Sequence, residues 1–320
     1  MKKISMYDNF IETLYSKYPK KAQLTQAMMD LLNLEREAVY RRLRKDVIFP
    51  AHEIVKIASS WNISLDEIIG INSEKIPFQM QMMHYLNPSK KEFRNLQKRV
   101  DLLEHFLTTP GAEYMEVCNR TPRPLTINLS SIYRFKIFNW IYQYTDNEDF
   151  KIFSKIILPA EVWKEFERYN KLIKNITTSN FILDPKIFNH FVDTVKYFHS
   201  ILILTDEERD LLKKEIHTLL DYMQEIAIRG YYPETQKKVN LYVSQLNIDT
   251  YYSYYYTEQL KMCRIHAFGK LDINSYDLNM VNNFKVWMNQ KKRTSIQISE
   301  VNEKSRIEYF TKQRRLVDTL

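Results

Sequence analysis

"NLEREAVYRRLRK", residues 33–45, sets four arginines and a lysine into one short segment that otherwise reads as a core-packing turn of helix. At 100° per residue, Val39 and Leu43 share one side. Arg36, Glu37, Tyr40, Arg41, Arg44 and Lys45 spread over the opposite arc, and Arg42 falls between, nearer the core. Most of the cations therefore face away from whatever domain holds this helix. A major groove admits such an element, with residues near the helix start reaching base edges and flanking cations on phosphates. A solvated basic face without a partner is the plainer reading of any charge run.

Composition narrows the choice. The chain has 320 residues, 44% hydrophobic and 27% charged, which suits globular domains and leaves room for two cores. Only 4 glycines argue against Gly-rich phosphate loops and favour helices. The formal net charge of +8 makes nucleic acid or another anionic surface a plausible partner. Cys118 and Cys263 lie far apart and read as reduced thiols. Asp8 and Glu12 interrupt any signal-peptide core, and no apolar run approaches the roughly 20 residues of a membrane span. A cytoplasmic protein without membrane attachment is expected.

Around the quoted segment, the apolar period predicts five short helices within about 70 residues. The first covers 5–18. The second runs from about Thr25, a reasonable N-cap, to Leu32, with Lys21 and Gln23 just ahead of it. Pro50 opens the fourth, and Ser64-Leu-Asp-Glu67 is a capping box for the fifth, which closes at Gly70.

The stretches "LTQAMMDLLNL", "EREAVYRRLRK", "FPAHEIVKIASSW" and "NISLDEIIG" resemble the helix-turn-helix domain of Cro/C1-type, phage-repressor-like regulators, over about a fifth of the chain. The resemblance implies an N-terminal five-helix lambda-repressor-like DNA-binding domain. Carried over by position, it puts Arg36 and Glu37 on bases from the helix start, with Tyr40 and Arg41 in the next turn. Lys45-Asp46 stands where many members have Gly, and Arg42 where an apolar residue is common. Arg36 or Arg41 could grip guanine through two hydrogen bonds; Glu37 could accept from cytosine or orient a neighbouring arginine. Lys21, Gln23, Thr25, Arg44 and Lys45 are the expected phosphate contacts, although Thr25 could be a cap alone. Residues 1–70 hold eleven Lys or Arg against nine Asp or Glu, a net of +2. One copy should then bind weakly, and a homodimer on a palindromic operator would double the contacts.

The remainder predicts a linker at 71–77, a helical domain over 78–235 and an α+β region over 236–320, the last two packed as one dimerisation or effector domain. Helices are expected at 88–109, 125–143, 159–174, 185–203, 206–229, 276–289 and 300–318, and a short strand fits 114–118. The 88–109 stripe suits a dimer seam or simple core. "VNLYVSQLNI" reads as a strand with a bulge, and "TYYSYYYTEQL", "MCRIHAF" and "TSIQIS" as further strands. The tyrosines at 251–256 fit a strand with one ring face buried and the other half-exposed, or could line a ligand pocket or stack against bases. Trp163 and Trp287 suit the core. Cys263 and His266 lack the further ligands that zinc needs, and His190, His199 and His217 lack ligand spacing. Asp206, Glu207 and Glu208 read as helix-start acids.

The expected class is mainly α, the N-terminal domain being followed by a larger helical domain that ends in an α+β region. The expected function is a sequence-specific, double-stranded-DNA-binding transcriptional regulator. A small-molecule or protein effector could act on the larger domain. No catalytic residue, cofactor or metal is expected. A protein-interaction module that keeps the helix-turn-helix shape, or an enzyme carrying a DNA-targeting module, would fit the same sequence.

Overall fold

The computed structural model describes residues 6–18, 20–61, 63, 65–68, 78–80, 88–126, 129–144, 151–267 and 271–320. The chain divides into two compact units, Met1–Phe78 and Gln79–Leu320. The expected linker at 71–77, Ser64 and Gly70 lie outside the described residues.

The first unit contains α1 (Met6–Lys17), α2 (Lys21–Leu32), α3 (Arg36–Leu43), α4 (Ala51–Trp61) and α5 (Leu65–Ile68). Phe10, Leu14, Leu24, Met28, Val39 and Ile57 are at most 1% exposed and form its core. Phe49, between α3 and α4, meets Phe10 edge-on at 5.7 Å. At the end of α2, Asn33 enters the left-handed region (φ 56°) and its N–H returns to the Met29 carbonyl. Asn tolerates that conformation through its short polar side chain, so the chain reverses within three residues and α3 begins at Arg36. At the exit of α3, Lys45 also takes a left-handed backbone, φ 69°. This is the conformation that glycine adopts without steric cost.

The second unit overturns the expected class. It contains β1 (Gln79–Met80), α6 (Pro88–Leu107), β2 (Glu113–Cys118), α7 (Ser130–Tyr144), α8 (Ala160–Ile173), β3 (Thr178–Leu183), α9 (Asn189–Ser200) and α10 (Asp206–Arg229). There follow β4 (Lys238–Ser244), β5 (Tyr252–Tyr256), β6 (Lys261–Ala267), β7 (Leu271–Ser275), α11 (Leu278–Lys291), β8 (Ser295–Gln297) and α12 (Glu303–Asp318). The strands form one eight-stranded sheet in the order β1-β7-β6-β5-β2-β3-β4-β8. β2, β3 and β4 are parallel, and every other pairing is antiparallel. The chain is thus not a mainly α molecule in which a five-helix lambda-repressor-like domain leads into a helical domain. A mixed sheet recruits strands from both the supposedly helical region and the region after it.

The reason is burial on both faces. On one side Tyr114, Phe181, Leu241 and Tyr255 join a core with the inner faces of α6, α8 and α10. On the other Met115, Ile182, Tyr254 and Cys263 pack under Val281, Phe284 and Met288 of α11. A strand covered on both faces lacks polar alternation, so its sequence does not look like a half-exposed strand. β3, "TSNFIL", is such a strand: every residue after Thr178 is buried.

Local details follow the same physics. α10 opens on a capping box in which Glu208 N–H donates to Thr205 Oγ1 (3.2 Å) and Thr205 N–H to Glu208 Oε2 (3.1 Å). It closes at Gly230, φ 74°. The bulge expected in 239–248 is corrected. β4 keeps unbroken register with β3 through Val243, then ends where Leu246 N–H donates to Ser244 Oγ at 3.2 Å. The α6 stripe is core: Leu96, Val100 and Leu103 are at most 1% exposed within this unit. Among the described residues, no helix is long and apolar enough to cross a membrane.

Candidate functional site

α3 is a short helix fastened by Val39 and Leu43, with Arg36, Glu37, Arg41 and Arg44 exposed on its other side. Arg36 and Glu37 occupy its first two positions, and both are exposed, as is Arg41 one turn on. Arg36 and Arg41 form no ion pair among the described residues. Tyr40 is half-buried, and the Lys21 ammonium stands 5.5 Å from its ring centroid, joining the start of α2 to α3.

Arg42 is turned inward and neutralised. Its Nε donates to Glu53 Oε2 at 2.7 Å, its Nη2 to Glu53 Oε1 at 2.9 Å, and its Nη1 to the Ala38 carbonyl at 3.2 Å. The apolar residue expected at this position is thus replaced by a two-point ion pair over the Phe49 ring, 5.9 Å away.

The expected phosphate contacts divide. Lys21 and Gln23 lie exposed in the first turn of α2, beside its outward N–H groups. Arg44 is exposed but bonded to Glu37 (2.9 Å) and Asp46 (3.2 Å), and Lys45 is paired with Asp8. Glu37 therefore orients an arginine, the more distant Arg44, in the free protein. Exposed pairs of this kind are worth about 0–1 kcal/mol and open readily for a stronger anion. Thr25 is a correction. α2 starts four residues earlier than expected, with Lys20 at its N-cap, so Thr25 lies inside the helix and fully buried. Its hydroxyl donates to the Lys21 carbonyl at 2.9 Å, and it neither caps nor reaches a phosphate.

A second site lies in the larger unit. A cavity of about 520 Å³ opens beyond the carboxyl ends of β2 and β3, the end of a parallel sheet where ligands commonly sit. The segment after β2 contributes Arg120 and Arg123, α7 contributes Lys136, and α6 and β6 contribute Arg99 and Arg264. Burial, in the first place, lowers the Arg120 pKa, and the nearby Arg123 charge pulls the same way against Tyr251.

Two carboxylates, the half-buried Asp272 and the fully buried Glu116, organise this region. Asp272 accepts from Arg99 Nη2 at 2.6 Å, meets His266 Nδ1 at 2.7 Å and lies 3.6 Å from Arg264 Nε. Burial alone would raise its carboxyl, but Arg99 and Arg264, then His266, hold it well below the usual range. Glu116, on β2, accepts from Tyr251 at 2.7 Å and from Tyr114. Its other oxygen, Oε1, is buried and accepts no hydrogen bond from a nitrogen or oxygen among the described residues. Burial pushes this carboxyl up to about 7, the two tyrosine hydroxyls only partly offsetting it.

The tyrosine run divides by strand parity. Tyr254 and Tyr255 are buried on opposite faces of the sheet, so the reading of one buried face is corrected; Tyr251, just before β5, lines the cavity. Trp163 and Trp287 pack half-buried against the two cores. Cys263 and His266, three apart on one strand, take opposite faces and cannot share a metal. Asp206 stands near His199 (3.1 Å) and Arg209 (2.8 Å) at the start of α10. Among the described residues no cluster of three metal-ligating side chains occurs. The signal for the cavity is "NRTPRP", 119–124: two arginines on a proline-held turn directly after a strand.

No family model, curated protein or solved structure matches the chain.

Proposed function

We propose that the protein is a sequence-specific DNA-binding transcriptional regulator of helix-turn-helix type, acting in the cytoplasm as a homodimer on a palindromic duplex. One observation carries the reading. On α3 the inward arginine is neutralised by Glu53, whereas Arg36 and Arg41 stand exposed, free of ion pairs among the described residues, on the face that Val39 and Leu43 turn outward. A helix anchored on one side with guanidinium groups on the other suits a major groove, where arginine pairs with guanine O6 and N7. The Lys21 ammonium, 5.5 Å from the Tyr40 ring, supports a role for the start of α2, where Lys21 and Gln23 would meet the phosphates.

Selection from a random duplex pool at low salt, followed by salt-titrated binding to the enriched sequence, tests this. Enrichment of a two-fold symmetric site whose halves are about 34 Å apart is expected, with affinity falling steeply as salt rises. Failure to enrich any sequence would sink the reading.

A further inference from the structure

Resting on the DNA-binding reading of α3, we propose that Glu37 sets base preference by exclusion: its carboxylate accepts from the N4 amino group of one cytosine in each half of the site and repels guanine or thymine there. Glu37 and Arg41 each lie two positions from Val39. At 100° per residue both stand about 160° from that buried anchor and about 40° from each other. They share the pole of the helix farthest from the core. The Glu37 side chain is 72% exposed even while bonded to Arg44 at 2.9 Å.

A glutamate four residues ahead of an arginine is well placed to pair with it along a helix. Glu37 instead passes over Arg41 and bonds to Arg44, further along the chain. Arg44 holds a second carboxylate, Asp46, at 3.2 Å. Glu37 can therefore leave without stranding a cation, and an exposed pair of this kind opens at little cost. A brace for Arg44 would only duplicate what Asp46 already supplies.

Chemistry decides which base Glu37 meets. A carboxylate only accepts, and in the major groove cytosine offers it the N4 donor alone. Adenine sets an acceptor beside its donor, guanine presents two acceptors, and thymine an acceptor and a methyl group. Towards the phosphates a carboxylate is repulsive. Glu37 thus lowers affinity for DNA in general and regains it only where cytosine stands, while Arg41 beside it supplies attraction.

Selection of duplexes by the full chain and by its Glu37→Ala and Glu37→Gln variants, followed by fluorescence anisotropy, provides the test. In the parent's selected site, replacing the cytosine pair should weaken binding by roughly tenfold. In Glu37→Ala that loss should shrink to about twofold, while a scrambled duplex binds about threefold tighter than it does to the parent. Glu37→Gln should select adenine at the same position, because an amide pairs with adenine N6 and N7. Weaker binding of Glu37→Ala to every duplex, with base preferences unchanged, would make Glu37 a brace for Arg44 and overturn the proposal. So would a selected site in which neither variant alters any position. A parent chain that enriches no sequence removes the DNA-binding reading itself and this proposal with it, so the two failures are told apart by the parent's own selection.

Discussion

Arg42 and Glu53, eleven positions apart, close a two-point ion pair between α3 and α4, with distances of 2.7 and 2.9 Å. The Glu53 side chain is only 9% exposed, so its charge depends on that partner. Arg42→Ala should cost about 3 kcal/mol by stranding the carboxylate. Amides of α3 and α4 in the full chain should then exchange hydrogen roughly 100-fold faster, by mass spectrometry. The paired change Arg42→Met with Glu53→Leu should recover most of the protection. Unchanged exchange in Arg42→Ala would show the bridge to be dispensable.

On the DNA-binding reading, side chains of α2 and α3 separate by role. Arg36→Ala should lose about 1–3 kcal/mol of discrimination between the selected duplex and a scrambled one. Lys45→Ala should weaken both duplexes alike and reduce the salt slope by about 1. Thr25→Val should leave binding to both unchanged, because that hydroxyl bonds to its own helix at 2.9 Å. Fluorescence anisotropy across a salt series distinguishes these outcomes.

Glu116 makes the larger unit sensitive to pH. Its folded pKa, about 7, lies above the ordinary 4.5, so between these values the folded state holds a proton that the unfolded state has released. Stability is therefore full below pH 4.5 as far as this group is concerned, falls as pH rises towards 7, and levels off above it. The loss is on the order of 3 kcal/mol. Asp272 acts oppositely and lower: its depressed pKa supplies stability above the ordinary 3.8 that is lost on acidification. Denaturant titrations from pH 5 to 8 should show the decline, and Glu116→Gln should flatten it.

Gly230 ends α10 with φ 74°, and its N–H donates to the Ile226 carbonyl at 2.8 Å. Gly230→Ala should cost about 1–2 kcal/mol, from the left-handed backbone together with a Cβ forced against the Glu300 side chain. The melting temperature should fall by roughly 2–4 °C per kcal/mol.

Legibility in the sequence follows the physics of each element. α10 can be read end to end because Thr205 and Glu208 mark its start and Gly230 its stop. β5 announces itself through its tyrosines, which fill four of its five positions. β3 does not, since Ser179 and Asn180 occupy buried positions in a strand hidden on both faces, and the sheet that corrects the fold class depends on it. For the site, helical phase alone turns Arg36 and Arg41 outward. It could not show that α2 begins at Lys21 and encloses Thr25, because Lys20 initiates the helix without a capping side chain. Arg99, Arg120, Lys136 and Arg264 carry no shared motif. Only the path of the sheet brings them together.

That last fact bears on assembly. Arg99 and Asp272 meet across 173 positions, so no contiguous fragment shorter than that span can close this cavity. Closing such a long loop is entropically costly and belongs to the late stage of folding. A copy truncated ahead of Asp272 would then lack one wall of the cavity.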